Sequence, residues 1–256
     1  MSDLKKSAEE FVRILESSRK AYAITGAGIS VPSGIPDFRG PNGLYKYFPP
    51  DIFDIDKFFE NPKRYYDFSR ERLGVIERAQ PNTAHEVLAE LEEMRLIDVV
   101  ITQNIDGLHR KAGSKKVIEL HGNLEEYVCT KCGRRFSKDE IKGALEREDV
   151  PHCETCGGLV KPNVVFFGEP LPERELLEAF KIAEESDLAV AVGTSLVVYP
   201  AALVPRRTVE TGGRLVIINV GETGLDGVAY RKYEYDVVDF FREVKNILVG
   251  DSDGSG

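Results

Sequence analysis

The sequence predicts an α/β fold in which a parallel sheet is covered by helices on both faces. The strand candidates are short, unbroken apolar runs, which are typical of strands buried on both faces. These runs alternate with stretches of helical periodicity, as expected when each strand is followed by a crossover helix. All four cysteines fall between residues 129 and 156, which adds a small cysteine module inserted into the larger domain.

The elements can be placed in order along the chain. Apolar residues at helical spacing predict a first helix near residues 3–18, and further helices are expected within 55–94, 176–183, 200–210 and 238–249. The predicted strands are 22–25, 97–102, 117–120, 164–167, 188–192 and 215–220. Residues 26–53 are rich in Gly, Pro and Asp and form a predicted loop, whose length indicates a functional role. Residues 251–256 are expected to be a disordered tail.

Composition and charge exclude several classes of protein. The 256 residues are 42% hydrophobic and 30% charged, as in folded globular domains. The formal net charge of −9 argues against nonspecific binding to nucleic-acid phosphates or to anionic membranes. No apolar run approaches the length of a membrane span, and the N-terminal residues begin an amphipathic pattern, not a signal peptide. We therefore expect a cytoplasmic protein that uses no membrane.

Small and polar residues follow four of the predicted strands. The first strand leads into Gly26-Ala27-Gly28, and the others lead into Gln103-Asn104, Gly193-Thr194-Ser195 and Asn219. Ligands of open α/β sheets bind beyond the carboxyl ends of the strands, and glycines there let the backbone approach a pyrophosphate. Val31 occupies the third glycine position of the usual fingerprint, so the glycine turn alone is equally compatible with a turn that binds nothing. The four strand ends together favour a Rossmann-like dinucleotide site.

The cysteines form two pairs with the spacing of a zinc ribbon. Cys129 and Cys132 make one C-x-x-C pair, and Cys153 and Cys156 make the other, with twenty residues between them. Redox pairs or disulfides are the alternatives, but a cytosolic protein with this spacing favours metal. His152 is a fifth candidate ligand, although four thiolates already complete a tetrahedron. We expect one structural zinc, because such a site has no open position for a substrate.

One of the four histidines is a candidate general base. His121 follows the predicted strand 117–120 directly, which places its imidazole at the same edge of the sheet as the glycines. From position alone, a core histidine bonded to the backbone is the more common interpretation. His85 and His109 are expected to pack or cap helices, and His152 to be exposed.

At this point the residues resemble the sirtuins, a family of NAD-dependent protein deacylases. The resemblance covers residues from about 21 to 237. It rests on a set of motifs in a fixed order: Gly26-Ala27-Gly28-Ile29-Ser30, Gly34-Ile35-Pro36-Asp37-Phe38-Arg39, Thr102-Gln103-Asn104-Ile105-Asp106, His121-Gly122, the four cysteines, Val164-Val165-Phe166-Phe167-Gly168-Glu169 and Gly193-Thr194-Ser195. Together these motifs are highly specific.

The resemblance implies NAD as the cofactor and assigns residues to its parts. The residues implied for the phosphates and the neighbouring ribose are Gly26, Ala27, Gly28, Ser30, Val31 and Arg39, with Phe38 as a shield over the reactive sugar. Those implied around nicotinamide and its ribose are Gln103, Asn104, Ile105 and Asp106. The adenosine half would contact Gly193, Thr194, Ser195, Asn219, Val220, Asp236 and Val237. His121 would be the general base, and Asn104 is assigned to the catalytic set with it.

The resemblance also implies the reaction. The acetyl group of an acetyl-lysine peptide is transferred to the ADP-ribose part of NAD, which releases nicotinamide, O-acetyl-ADP-ribose and free lysine. Val164 and Phe166 would supply an apolar tunnel for the acyl-lysine. The peptide would add as a strand between Gly168-Glu169 and the stretch at Val197.

Relatives with a preference for acidic acyl groups carry Tyr-x-x-Arg before the Pro81-Asn82 turn. This chain has Ser69-Arg70-Glu71-Arg72 there, so a neutral acyl group, acetyl first, is expected.

We expect one catalytic domain in two parts, acting as a monomer. The large Rossmann-like part is expected from residues 1–28, 80–121 and 164–250, and the small part from 29–79 and the zinc module 122–163.

Three other functions compete with deacetylation. The first is ADP-ribosyl transfer to protein on the same scaffold. The second is nucleic-acid docking by the zinc ribbon, which carries Lys131, Arg134, Arg135 and Lys138, although a solvated basic face is the commoner interpretation. The third is hydride transfer, but the stretch that would supply an acidic ribose ligand falls in a Gly/Pro loop.

Overall fold

In a computed structural model of the chain, residues 3–37, 43, 46, 48–72 and 74–252 are described. The expected phosphate and sugar residues Phe38 and Arg39 lie outside them. The helices are α1 Asp3–Glu16, α2 Ile55–Glu60, α3 Pro62–Arg72, α4 Gly74–Arg78, α5 Thr83–Glu93, α6 Leu108–Ala112, α7 Lys138–Leu145, α8 Glu173–Glu185, α9 Leu203–Glu210 and α10 Val237–Ser252. The strands are β1 Ala21–Thr25, β2 Val100–Thr102, β3 Val117–Glu119, β4 Gly122–Cys129, β5 Arg135–Ser137, β6 Val160–Val164, β7 Leu188–Val192, β8 Arg214–Ile218 and β9 Arg231–Tyr233.

The larger sheet has six strands in the order β3-β2-β1-β7-β8-β9, and all its pairings are parallel. Along β1, Ala21 and Ala23 pack with α1, α5 and α10, whereas Tyr22 and Ile24 pack with α8 and α9 on the other face. Every residue of β1 is therefore buried, which explains its unbroken apolar sequence. The predicted Rossmann-like fold class is confirmed.

The smaller sheet is antiparallel, in the order β5-β4-β6, and carries the cysteines. Its buried side chains form one core with aromatic residues of α2 and α3, among them Phe58, Tyr65 and Tyr66. The two insertions that leave the large sheet, residues 55–78 and 122–164, thus pack on each other. We call this unit the small lobe, and we call the six-stranded sheet with its covering helices the large lobe.

The strand predicted at 164–167 is wrong in position and in partner. The strand is Val160–Val164, and it pairs with β4 in the small lobe instead of joining the parallel sheet. Val160, Val164 and Phe166 are buried in the small-lobe core, so that core accounts for the apolar run. The sequence analysis also missed β9, a three-residue strand in which two residues are charged.

In the described part of the predicted loop of residues 26–53, the chain forms short 3₁₀ turns at Ala27–Ile29, Val31–Ser33 and Pro50–Phe53. Among the described residues, no helix combines the length and the apolar character that crossing a bilayer requires.

Candidate active site

The polar rim predicted from the sequence lies along one edge of the large sheet. Strands β2, β1, β7 and β8 are neighbours and parallel, so their carboxyl ends meet at that edge. Hydrogen bonds join the ends to one another. Gln103 Nε2 donates to Thr194 Oγ1 over 3.0 Å, and Gly28 N donates to Gly193 O over 2.8 Å. The ends of β1, β2 and β7 therefore form one continuous surface of amides and hydroxyls.

The glycines allow two turns of this rim to touch. A Cβ on Gly28 would lie 2.7 Å from Gly193 O, and a Cβ on Gly193 would lie 2.3 Å from Ile29 N. Gly193 also has φ +57, in the left-handed region that glycine tolerates. Close contact between these backbones keeps the end of β1 free of side chains, as a bound pyrophosphate requires.

Gly193→Ala is expected to destabilise the fold and to weaken NAD binding at least tenfold, because the new Cβ overlaps Ile29 N. Gly212→Ala is the matched control, since Gly212 has φ +92 but nothing within 4 Å of its Cβ position. The control should lose only the roughly 1–2 kcal/mol of the left-handed conformation. Urea unfolding and titration calorimetry with NAD measure both effects. Equal losses in the two variants would contradict the contact.

A hydrogen-bonded group behind the rim orients Asn104. Its Nδ2 donates to Gly26 O over 3.0 Å and to Ser30 Oγ over 3.1 Å. Ser30 Oγ in turn donates to Asp106 Oδ2 over 2.7 Å, and Asp106 Oδ1 accepts the backbone N–H of Leu108. Burial raises the pKa of Asp106. The Asn104 amide oxygen is thereby held in a fixed direction, as a group that positions a polar ligand must be.

His121 is held by the strand end beside it. Its Nδ1 lies 2.8 Å from the backbone carbonyl of Gln103. A carbonyl only accepts, so Nδ1 carries the hydrogen and the lone pair resides on Nε2. Burial lowers the pKa of His121, with the bond to Gln103 acting in the opposite direction. The ring is therefore neutral at pH 7 and available as a base.

The segment predicted to form the acyl tunnel lies against His121. The backbone N–H of Val165 donates to His121 O over 2.9 Å, and a Cβ on Gly122 would lie only 1.9 Å from Asn163 O. Val164 and Phe166 are buried, whereas Val197 is 48% exposed. Gly168 has φ +91. The structure thus brings the backbone of the predicted tunnel segment to the predicted base. The prediction that Val164 and Phe166 line the tunnel is not supported, because both side chains pack in the small-lobe core, whereas Val165 and Phe167 of the same segment remain partly exposed.

The remaining predicted cofactor residues lie at or near the same edge. Ile105 packs at the border of the small-lobe core, and Ser195 and Val220 are exposed. Asn219 Nδ2 donates to the carbonyl of Val220. Asp236 accepts the backbone N–H groups of Val238 and Asp239 at the start of α10. Val31 is exposed, and Val237 is buried in the large-lobe core.

His85 and His109 form a buried pair behind the rim, with ring centroids 4.9 Å apart. His85 closes a capping box with Asn82 at the start of α5, so the predicted capping role is observed. His109 Nε2 lies 2.8 Å from Thr25 Oγ1, whose hydrogen goes to Thr102 Oγ1, and so Nε2 is the donor. The sequence analysis assigned no role to Thr25 or Thr102, although a buried Thr ends each of these strands.

The buried pair predicts a loss of stability in acid. Burial lowers the pKa of His85 from 6.5 to about 4, so below pH 6.5 the unfolded chain binds a proton that the folded protein does not. The free energy of unfolding should therefore fall between pH 6.5 and 4, with His85 contributing about 2–3 kcal/mol. The measured quantity is the difference between wild type and His85→Gln in urea unfolding at pH 7 and 4.5, so that the contributions of other acid-sensitive groups cancel. The same pH dependence in both proteins would contradict it.

The four cysteine sulfurs are grouped as a metal site requires. Their Sγ atoms all lie within 4.8 Å of one another, and none forms a disulfide. A four-thiol set at this separation fits tetrahedral zinc and leaves no open position. His152 instead bonds Val150 O through Nδ1. The cysteines lie at the far end of β4 from Gly122, roughly 20 Å along the strand from His121. The site therefore fits a structural metal.

Comparison with known proteins decides the family. The Sir2 family model matches residues 26–200. The NAD-dependent protein deacetylase of Thermotoga maritima is 52% identical over 92% of this chain and 96% of that protein. This chain belongs to the Sir2 family.

Solved Sir2 structures have the same fold. A Sir2–p53 peptide–NAD⁺ complex superposes with a TM-score of 0.89 at 50% identity, covering 94% of this chain and 98% of that one. A Sir2 variant with deacetylated p53 peptide and 3′-O-acetyl ADP-ribose gives 0.89 at 51% identity, covering 93% and 97%. His121 and the 164–169 segment described above lie within the residues that the family model matches.

Proposed function

We propose that this Sir2 protein is an NAD-dependent protein lysine deacetylase that transfers the acetyl group of acetyl-lysine to the ADP-ribose part of NAD. Its products are nicotinamide, O-acetyl-ADP-ribose and free lysine. The observation that carries the proposal is the contact between His121 and the Val164–Val165 backbone, at the edge where three strand ends are hydrogen-bonded together. One neutral imidazole thereby lies between the polar strand ends and the apolar segment of residues 164–167.

The chain's own residues supply binding, orientation and one proton transfer. NAD, when bound, supplies an electron-poor sugar carbon as nicotinamide leaves. Asn104 and Asp106 orient the polar groups around that sugar, and Nε2 of His121 accepts the proton of a ribose hydroxyl. Its basicity is kept by the Nδ1–H bond to Gln103 O. The outward-facing Val165 and Phe167 of the 164–167 segment exclude water from the acyl group, with Val164 and Phe166 packed in the core behind them. Water would otherwise compete for the sugar carbon.

The peptide is proposed to add as a strand in the cleft between the lobes. Phe167 is 45% exposed and Val197 is 48% exposed, so apolar surface is available on both sides. Main-chain hydrogen bonds to the 168–169 and 197–199 segments would give affinity with little dependence on peptide sequence.

One assay separates the candidate functions. The protein is incubated with NAD and an acetyl-lysine peptide, and free nicotinamide and peptide mass are followed together. Deacetylation requires one nicotinamide for each acetyl group lost. Added mass on the peptide or on the enzyme would indicate ADP-ribosyl transfer, and absorbance of NADH would indicate a dehydrogenase. Nicotinamide release without deacetylation would overturn the proposal.

A neutral acyl group is proposed as the preferred substrate. In helix α3, Tyr65 and Tyr66 are buried in the small-lobe core, and Arg70 bonds Asp67 and the carbonyl of Asp149. These side chains are therefore packed or hydrogen-bonded within the protein, and they do not form a binding site for the carboxylate of an acidic acyl group. We expect kcat/KM for an acetyl-lysine peptide to exceed that for the matched succinyl-lysine peptide at least tenfold. Comparable values for the two peptides would contradict this.

The proposed cofactors are NAD and one structural zinc, and the proposal includes a monomer acting in the cytoplasm without nucleic acid. Zinc-bound thiolates are typical of a reducing compartment. Basic residues of the zinc ribbon form ion pairs within the protein: Arg135 pairs with Glu126, and Lys138 pairs with Glu77 and Glu125. Size-exclusion chromatography with light scattering tests the monomer.

A further inference from the structure

Lys161 is a buried cation in the small lobe, next to the segment proposed to hold the acyl-lysine. Its side chain is only 6% exposed, and it lies on β6 among apolar residues. The ammonium nitrogen lies 2.6 Å from Val164 O, 3.2 Å from Pro162 O and 2.9 Å from Glu169 Oε2. It also lies 4.3 Å from the centroid of the Phe166 ring. All of these partners come from the eight residues that follow it.

Residues 162–169 form a loop around the ammonium group of Lys161, and the ion pair with Glu169 closes this loop. Glu169 Oε2 accepts the backbone N–H of Phe166 over 2.8 Å as well as pairing with Lys161. The chain from Pro162 to Glu169 therefore folds around one charge, which fixes the direction of two carbonyls, one ring and one carboxylate. Gly168, with φ +91, provides the turn that brings Glu169 back.

The outer side of the same loop carries the contacts of the proposed active site. Val165 N donates to His121 O over 2.9 Å. At the other end, Phe167 N donates to Phe53 O over 2.7 Å, and Ile55 N donates to Phe167 O over 3.0 Å. The ammonium lies on the inner side, so it does not reach a substrate in the cleft. Its effect on a substrate is exerted through the loop backbone and the outward-facing side chains of Val165 and Phe167.

Stability alone does not explain this cation. Removing an ammonium and a carboxylate from water is costly, and burial lowers the pKa of Lys161 although Glu169 opposes the shift. A methionine would fill the same space in an apolar core without that cost. What an apolar side chain cannot do is satisfy two inward-facing carbonyls and hold Glu169 in place.

We propose that Lys161 is a positioning residue for the acyl-lysine: its ammonium sets the inner side of the 162–169 loop and thereby places the outward-facing Val165 and Phe167 relative to His121. This inference rests on the proposed deacetylase function. It assigns Lys161 to substrate specificity, a role that the sequence analysis did not give it. The sequence feature that could have pointed to this role is a lysine three residues before the apolar run of residues 164–167.

The test compares Lys161→Met with wild type in steady-state deacetylation. The expected result is a rise of at least about tenfold in KM for the acetyl-lysine peptide, with KM for NAD within about twofold of wild type. The ratio of kcat/KM for acetyl-lysine and propionyl-lysine peptides should change at least about threefold. A loss of folded protein scales both kcat/KM values equally, so this ratio does not respond to stability.

Three further variants keep the result interpretable. Lys161→Arg retains the charge and should recover part of the acetyl-to-propionyl ratio. Glu169→Gln should shift the ratio in the same direction as Lys161→Met, and it takes over the test if Lys161→Met fails to fold. Lys245→Met is the matched control, because it breaks another Lys–Glu pair, with Glu90, between α10 and α5 and away from the loop. The control should leave both KM values and the ratio unchanged.

Wild-type values of the peptide KM and of the acyl ratio in Lys161→Met, or in Glu169→Gln if the former does not fold, would overturn the inference. A shift in Lys245→Met equal to that in Lys161→Met would also overturn it. A wild-type protein that releases no acetyl group would instead overturn the proposed function. The two failures are therefore distinguishable in one set of assays.

Discussion

His121→Ala is expected to lower kcat/KM for deacetylation by about 100- to 10,000-fold while leaving the protein folded. General base catalysis contributes a factor of this size, and His121 is the half-buried imidazole whose Nδ1–H is fixed by Gln103 O. The ring packs at a strand end and not in a core cluster, so its truncation should shift the melting temperature little. Thermal unfolding of the variant is the control.

The order of the reaction steps allows a second test with the His121→Ala variant. Release of nicotinamide precedes the proton transfer assigned to His121. Exchange of labelled nicotinamide into NAD, in the presence of acetyl-lysine peptide, should therefore persist in His121→Ala while deacetylation is lost. Loss of both activities in a folded variant would place His121 in binding and not in base catalysis.

The pH dependence follows from the sign of the shift. Burial lowers the pKa of His121 below its usual 6.5, and a general base works in its neutral form. Activity should therefore be insensitive to this group from pH 7 upward and should fall only below pH 6.5. An acid limb centred above pH 7 in kcat/KM would contradict this protonation state.

Removing the metal is expected to unfold the small lobe and abolish activity. The chain should carry one zinc, and Cys129→Ser or treatment with a strong chelator should remove it. Zinc contributes about 10 kcal/mol or more to small cysteine modules, which is comparable to the whole stability of many domains. The core of the small lobe includes Cys129 and Cys153 beside Phe58, Val160 and Phe166, so the loss of the ligands reaches the segment that lies against His121.

This effect should be structural in kind. Activity should fall in proportion to the unfolding of the module, and zinc should restore it after chelation. Glu154→Ala is a suitable control, because Glu154 is exposed between two ligands and supplies none of the four sulfurs. Full activity with an intact melting transition after zinc removal would contradict the assignment.

Much of the large lobe could be predicted because local sequence patterns determine its strands and strand ends. Residues 21–24 of β1 each face one of two cores, so an unbroken apolar run identifies a doubly covered strand. The strand-end motifs could be placed on one edge because parallel strands share their direction. The four cysteines could be grouped because their spacing alone constrains a metal site.

The predictions that failed depended on contacts between distant residues. The run at 164–167 is as apolar as a central strand, but its partner is β4 and its core is built by α2 and α3, which sequence periodicity does not reveal. The role of Lys161 likewise depends on a turn at Gly168 that brings Glu169 back to it. The predicted Phe38 and Arg39 lie outside the described residues, so their roles stay predictions.

The junction between His121 and Gly122 has a mechanical consequence. One residue ends the edge of the large lobe, and the next begins β4 of the small lobe, where Val165 N is bound to His121 O. If the small lobe rotates as a rigid body about this junction, the cysteines lie roughly 20 Å from the pivot. The imidazole lies only about one residue length from it. A 5° swing would carry the metal by about 2 Å and the catalytic ring by only about 0.3 Å, so the cleft could widen for a protein substrate while the base kept its place.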